Sequence, residues 1–299
     1  MQLGALAPIG DIGGDPQTTR DYAQGLEAAG YDFLETADHV LGVNVASRPD
    51  WDADRNTSQD LFHDPFVFLS YLAGVAPKLG FATGVLILPQ RQTALVAKQA
   101  ACLDVLCKGR FRLGIGVGWN AAEYVALNEK FNNRGRRSEE QVQVMQALWQ
   151  QEHVSFKGRY HTLDDVGINP RPASGRVPVW YGGHHENTLS RIAKWGDGWM
   201  PNAYPPDQSA VDIFTKLRDL IEAQGRDPAT VGIEVWTSCG AESATEWRKE
   251  ISFWKDLGVT HVCLTTTFNR RHHHRIKGTT LADHLSAATR YRDAIGDLL

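Results

Sequence analysis

At 299 residues without a low-complexity tract, the chain exceeds an ordinary domain and suits one (β/α)8 barrel, a fold of about 250 residues that takes insertions. Its 42% hydrophobic and 22% charged residues are those of a soluble globular protein, and a net charge of -4 argues against nucleic acid as a partner. No apolar run approaches the roughly 20 residues that a membrane-spanning helix needs, and the start MQLGALAPIGD lacks a basic n-region, so the expectation is a cytoplasmic protein with no membrane contact.

Met1 to Pro8 reads as strand one. Thr18 to Ala29 is an amphipathic helix stopped by Gly30. Tyr31 to Thr36 gives strand two, with Ala37, Asp38 and His39 just past its end. Leu41 to His63 is polar and aperiodic. Loops of that length are commonly lids, so it reads as an insertion over the mouth. Asp64-Pro65 opens a buried helix over Phe66 to Ala76, with Asp as N-cap and Pro at the first position. Gly80 to Leu88 is nearly all apolar, as a strand buried on both faces should be. Thr93 to Leu106 is the next helix.

Strand four, Phe111 to Val117, is punctuated by Gly114, Gly116 and Gly118, and Asn120 sits where the N-cap of a helix over Ala121 to Leu127 belongs. Such a turn serves either tight packing or the wall of a ligand pocket. Ser138 to Trp149 is a long helix, and Val154 to Leu163 alternates around Lys157-Gly158 as a hairpin outside the main sheet. Strand five spans Val177 to Tyr181, strand six Gly198 to Met200, strand seven Val231 to Thr237 and strand eight Val259 to Thr265. Helices over 187–195, 206–224, 245–257 and 280–295 follow them. Strands alternating with helices make this an α/β chain with a parallel sheet closed as a (β/α)8 TIM barrel, one domain over 1–299.

In a barrel the chemistry sits at the C-terminal strand ends. Strand two presents Asp38 and His39, the latter able to exchange a proton near neutral pH. Strand three presents Gly84 and Val85, strand four Gly116, Gly118 and Trp119. Strand five presents Gly182, Gly183 and His184 before a helix N-terminus, a natural anion cradle. GxGxG is not the dinucleotide fingerprint GxGxxG. His184 and His185 lack HExxH spacing, and Cys102, Cys107, Cys239 and Cys263 lack CxxC spacing, so no metal is expected. Asn269 to Lys277 is a basic, histidine-rich run, either a solvated loop or a positive lip for an anionic tail. There is no GxSxG elbow and no Walker A sequence. Pocket walls, a cradle and one proton donor are what a protein supplies when a cofactor carries the hard chemistry.

The order of Ala37-Asp38-His39, Thr83-Gly84-Val85, Gly114 to Tyr124, Arg134-Gly-Arg-Arg-Ser138, Tyr160, Pro170-Arg-Pro172, Trp180-Tyr-Gly-Gly183 and Trp195 to Pro201 resembles the bacterial luciferase-like superfamily, and within it the deazaflavin-dependent oxidoreductases. The resemblance runs from strand one to about Pro201. It implies deazaflavin F-420 or FMN at the barrel mouth, a non-prolyl cis peptide at Gly84-Val85 against the ring, and phosphate on Gly182, Gly183 and the next N–H groups. It also implies His39 at the reactive face, a small-molecule substrate and a homodimer. Asp38, Gly116, Gly118 and His184 join the expected cofactor contacts, and Trp119 the substrate wall. Trp119 stands where the sugar-phosphate dehydrogenases of the superfamily carry glutamate, which argues against that substrate. The other readings are a flavin-binding protein without turnover and a flavin-free hydrolase or lyase using Glu35 or Glu123.

Overall fold

The computed structural model describes residues 1–52 and 56–299; part of the predicted insertion, residues 53–55, lies outside the described residues. In chain order the elements are β1 (Gln2–Leu6), α1 (Ile9–Ile12), α2 (Pro16–Ala28), β2 (Phe33–Thr36), α3 (Pro65–Val75), β3 (Gly80–Thr83), β4 (Leu86–Ile87), α4 (Thr93–Leu106), β5 (Phe111–Gly116), α5 (Ala121–Ala126) and α6 (Arg134–Gln150). They continue with β6 (Val154–Lys157), β7 (Thr162–Val166), β8 (Val179–Gly182), α7 (Glu186–Trp195), β9 (Gly198–Met200), α8 (Gln208–Glu222), β10 (Gly232–Ser238), α9 (Ala244–Asp256), β11 (His261–Thr265) and α10 (Leu281–Ile295).

The barrel closes because the last strand returns to the first. Gln2 of β1 lies opposite His261 of β11, and Gly4 lies opposite Phe33 of β2. The ring continues in parallel through β3, β5, β8, β9 and β10. Strands buried on both faces need apolar runs, and Leu3, Leu34, Phe81, Leu113, Val179 and Val262 are all buried. Each such side chain contributes about 1.5–3 kcal/mol on leaving water. The helices start where side chains satisfy their free N–H groups. Asp15 and Asp64 accept from the first turns of α2 and α3, each followed by proline. Ser243 with Glu246, and Thr280 with Asp283, form capping boxes on α9 and α10.

Strand three differs from the continuous run its apolar sequence predicts. It breaks into β3 and β4 around a cis peptide between Gly84 and Val85, as the resemblance implied. Gly84 N–H donates to the Thr36 carbonyl (2.8 Å), and the Thr83 hydroxyl donates to the Gly114 carbonyl (2.7 Å). The hairpin lies where the alternation places it, with the connection at residues 158–161 between β6 and β7. α6 begins at Arg134, four residues before the Ser138 start that composition suggests. The insertion is tied at its neck, where Val43 bridges Thr57.

Candidate active site

The site begins with α5. Asn120 accepts from Ala122 N–H and starts the helix, which puts Glu123 in its first turn. From there the Glu123 carboxylate crosses to the segment after β2. One oxygen accepts from the N–H groups of Val40 (2.9 Å) and Leu41 (3.2 Å), and the other faces His39 Nδ1 at 3.2 Å. Burial works to raise the Glu123 pKa. The bonds from His39, Leu41 and Val40 outweigh it and hold the carboxyl below its usual range, so it is ionised at neutral pH. A carboxylate only accepts, so the hydrogen of His39 sits on Nδ1 and Nε2 is left as the working nitrogen. Among the described residues Nε2 has no hydrogen-bond partner, and it is not sealed in the core.

Aromatic rings frame that imidazole. Phe62, from the insertion, meets it edge-on at 4.9 Å, and Trp119 stands at 6.1 Å. Trp119 is 44% exposed and packs against Trp51 of the insertion at 5.4 Å. The expected wall residue and the expected lid thus meet over His39. Beside them, under the insertion, is a cavity of about 260 Å³ whose lining includes Leu6, Ala7, Thr36, Ala37, Leu61 and Phe62.

Asp38, expected to touch a cofactor, has another task. Its buried carboxylate receives Arg91 through both oxygens (2.7 and 3.2 Å) and accepts from Ile87 N–H (2.9 Å). It therefore anchors β4 to β2. Gly116 and Gly182 are likewise explained by packing. A Cβ on either would lie 2.6 or 2.8 Å from the Val85 methyls, so the Val85 side chain occupies the gap between them. Gly118 has φ +65°, the left-handed region, and adjoins Ile87. A Cβ on Gly84 would overlap the Glu35 carboxyl.

Glu35 belongs to a cluster that sequence reasoning offered only as a lone carboxylate. It is fully buried, accepts from Trp236 Nε1 (3.1 Å) and lies against Glu234, whose other oxygen takes Arg112 at 2.7 Å. Arg112 is held between the rings of Phe33 (4.4 Å) and Trp180 (4.5 Å). Burial first, then the Glu234 charge, push the Glu35 pKa well up, so it keeps its proton at neutral pH. Glu35, Glu234 and Cys263 bring ligand-type atoms within 4.8 Å of one another, and the Arg112 guanidinium supplies the positive charge there.

The strand-five end, where the sequence predicts an anion cradle, leads from Gly182 into the start of α7. Gly183 adopts φ +106°, and a Cβ there would approach nothing nearer than Thr188 Oγ1 at 3.5 Å. His185 caps α7 through Nδ1 to Asn187 N–H (3.1 Å). Among the described residues the His184 and His185 N–H groups meet no backbone acceptor. An anion fits such a helix start. His184 bonds Asn202 Oδ1 at 3.0 Å through Nε2, and among the described residues its buried Nδ1 has no partner. Burial lowers its pKa, so it is neutral there. The basic late loop is a brace: Arg271 donates to Asn202 (3.2 Å), Arg270 pairs with Asp52 (3.3 Å) and Arg275 with Asp11 (2.7 Å).

The family profile of luciferase-like monooxygenases matches residues 1–297. The chain belongs to the luciferase-like monooxygenase family. An uncharacterized protein of Mycobacterium tuberculosis is 31% identical over 209 residues, 68% of this chain and 71% of that one. The pyrimidine monooxygenase of Allorhizobium ampelinum is 33% identical over 66% of this chain and 55% of its own length. Among solved structures, an F420-dependent secondary alcohol dehydrogenase in complex with an F420-acetone adduct is 19% identical with a TM-score of 0.78, covering 98% of each chain. Named relatives and neighbours include a monooxygenase and F420-dependent dehydrogenases, the pyrimidine monooxygenase above and an F420-dependent hydroxymycolic acid dehydrogenase of Mycobacterium tuberculosis that is 28% identical over 76% of this chain and 62% of its own length. No helix among the described residues is long and apolar enough to cross a membrane.

Proposed function

We propose that this enzyme transfers hydride between deazaflavin F420 and a small organic substrate, with His39 moving the accompanying proton. The observation that carries this reading is the His39–Glu123 pair: a charged carboxylate fixes Nδ1–H and leaves Nε2 free toward the mouth. Bound deazaflavin supplies two-electron chemistry and does not require oxygen. The chain supplies the rest. Nε2 accepts or returns the substrate proton, and Glu123 stabilises the imidazole when it carries charge. Trp119, Trp51 and Phe62 keep water from the reacting atoms. The Gly183–Glu186 turn and the start of α7 suit the cofactor phosphate, and a cavity of about 260 Å³ suits a small substrate. The same reading keeps a cytoplasmic homodimer, which size-exclusion chromatography tests.

Fluorescence titration with F420 and with FMN is the experiment. Micromolar F420 binding, weaker FMN binding, and a loss of about 10²–10⁴-fold in kcat for His39→Asn at unchanged cofactor Kd support the proposal. Tight FMN binding alone would instead favour the monooxygenase branch, to which the pyrimidine monooxygenase belongs by name. Binding of neither cofactor would sink both.

A further inference from the structure

The cavity of about 260 Å³ beside His39 has a polar side that proton transfer by the imidazole does not use. Its apolar wall comes from Leu6, Ala7, Leu61 and Phe62, and Phe62 also meets the His39 ring at 4.9 Å. The lining holds no lysine, arginine or histidine. Besides two threonines, its polar side chains are Asp11, Asn56 and Asp60, all of which offer oxygen acceptors.

Asp11 is already engaged. It takes Arg275 at 2.7 Å and lies 3.2 Å from His284 Nε2. Asn56 is 5% exposed, so its amide needs partners inside the molecule. Its Nδ2 donates to the Leu41 carbonyl at 3.0 Å, which settles which end of the amide is nitrogen. Among the described residues Oδ1, the other end, has no partner. A buried acceptor without a donor is costly, and a ligand N–H removes that cost. Asp60 stands at the exposed rim of the same cavity. One of its oxygens accepts from Thr57 N–H at 2.6 Å, which closes the turn that carries it, and it makes no ion pair among the described residues. Both acceptors lie on the insertion next to Thr57, where Val43 ties that segment down.

We infer that this cavity selects substrates carrying an ammonium group on a small apolar body. The inference rests on the proposed hydride transfer beside His39 and names the substrate class for it. Asn56 Oδ1 and the Asp60 carboxylate accept from the ammonium, which has donors for both. The apolar body lies on Leu6, Ala7, Leu61 and Phe62, and the ammonium is a handle, distinct from the carbon that reacts. A hydroxyl in its place has one hydrogen to donate and no charge, so it binds more weakly. A carboxylate or phosphate meets Asp60 as a like charge, with no cation in the lining to offset it, and is rejected.

The test uses three probes that share a six-membered carbon ring and one hydroxyl: the vicinal isomers of aminocyclohexanol, cyclohexanediol and hydroxycyclohexanecarboxylate. Each is titrated calorimetrically into the full-length protein, alone and with F420. The expected result is an amine that binds about 10-fold tighter than the diol at low salt, by a margin that shrinks at high salt, and an acid that binds more weakly than either. In Asp60→Asn the amine falls to near the level of the diol, while the diol affinity is unchanged. Equal binding of amine and diol by the parent, preference for the acid, no binding of any probe, or a variant that keeps the full preference overturns the assignment. Should the variant fail to fold, the parent's preference and its salt dependence decide alone. F420 binding without an amine preference removes this inference and leaves the hydride-transfer reading standing. An amine preference without F420 binding removes that cofactor and leaves the ammonium site.

Discussion

Glu123→Gln isolates the charge of the carboxylate from its shape. The amide still presents one oxygen to the N–H groups of Val40 (2.9 Å) and Leu41 (3.2 Å), but the group facing His39 Nδ1 at 3.2 Å is no longer an anion. Hydrogen bonds to a charged partner contribute about 1.5–3 kcal/mol, and neutral ones about 0.5–1.5. With three bonds weakened and His39 partly open to solvent, the net loss is about 2 kcal/mol. In a chain of this size that lowers Tm by about 3 °C. The pH dependence has a definite sign. The folded Glu123 pKa lies below the ordinary 4.5, so its contribution is complete above that value and fades as pH falls through the folded pKa. Thermal melts of parent and variant should therefore differ at neutral pH and converge as pH falls below about 4.5. A gap that does not narrow in acid, or no gap at neutral pH, would refute the ionised-carboxylate account.

Glu35→Gln should behave oppositely. The folded protein keeps a proton on Glu35 that the unfolded chain releases above its ordinary value of 4.5, so parent stability falls as pH rises, by at most about 1.4 kcal/mol per pH unit. Melts from pH 5 to 9 should show that slope in the parent and a flatter one in the variant; equal slopes would sink the idea. Gly182→Ala should cost about 1–3 kcal/mol by crowding Val85, and Val85→Ala in the same chain should recover much of it. Additive losses in that double-mutant cycle would show that the two sites do not touch. Asp38→Ala leaves the Arg91 guanidinium with only the half-exposed Asp64 carboxylate (2.8 Å) as its ion-pair partner and should cost about 2 kcal/mol in urea unfolding; no measurable loss would contradict the anchoring role.

The barrel was legible because its signals are local. Asp-Pro at the start of α3, glycines after helices and apolar runs of strand length each depend on a few neighbouring residues. The site was legible only in part. The positions of His39, Trp119 and Gly183 at strand ends could be placed because strand ends are known once strands are. The Glu123 partnership spans 84 residues of sequence and arises when α5 folds back over β2, which periodicity does not encode. The same holds for Asp38 with Arg91, and for Glu35 on β2 beside Glu234 on β10, two strands that are not neighbours in the barrel. Gly116 and Gly182 were visible as glycines, but their reason is a single valine, Val85, at the break between β3 and β4.

Trp51 and Trp119 sit with ring centroids 5.4 Å apart and planes inclined by 33°. Two indoles that near and that skewed couple their strong far-ultraviolet transitions, which gives a paired positive and negative band in far-ultraviolet circular dichroism. One indole rides on the insertion and the other on the barrel rim. The protein thus carries its own optical gauge of the contact between insertion and rim, one that needs no attached dye.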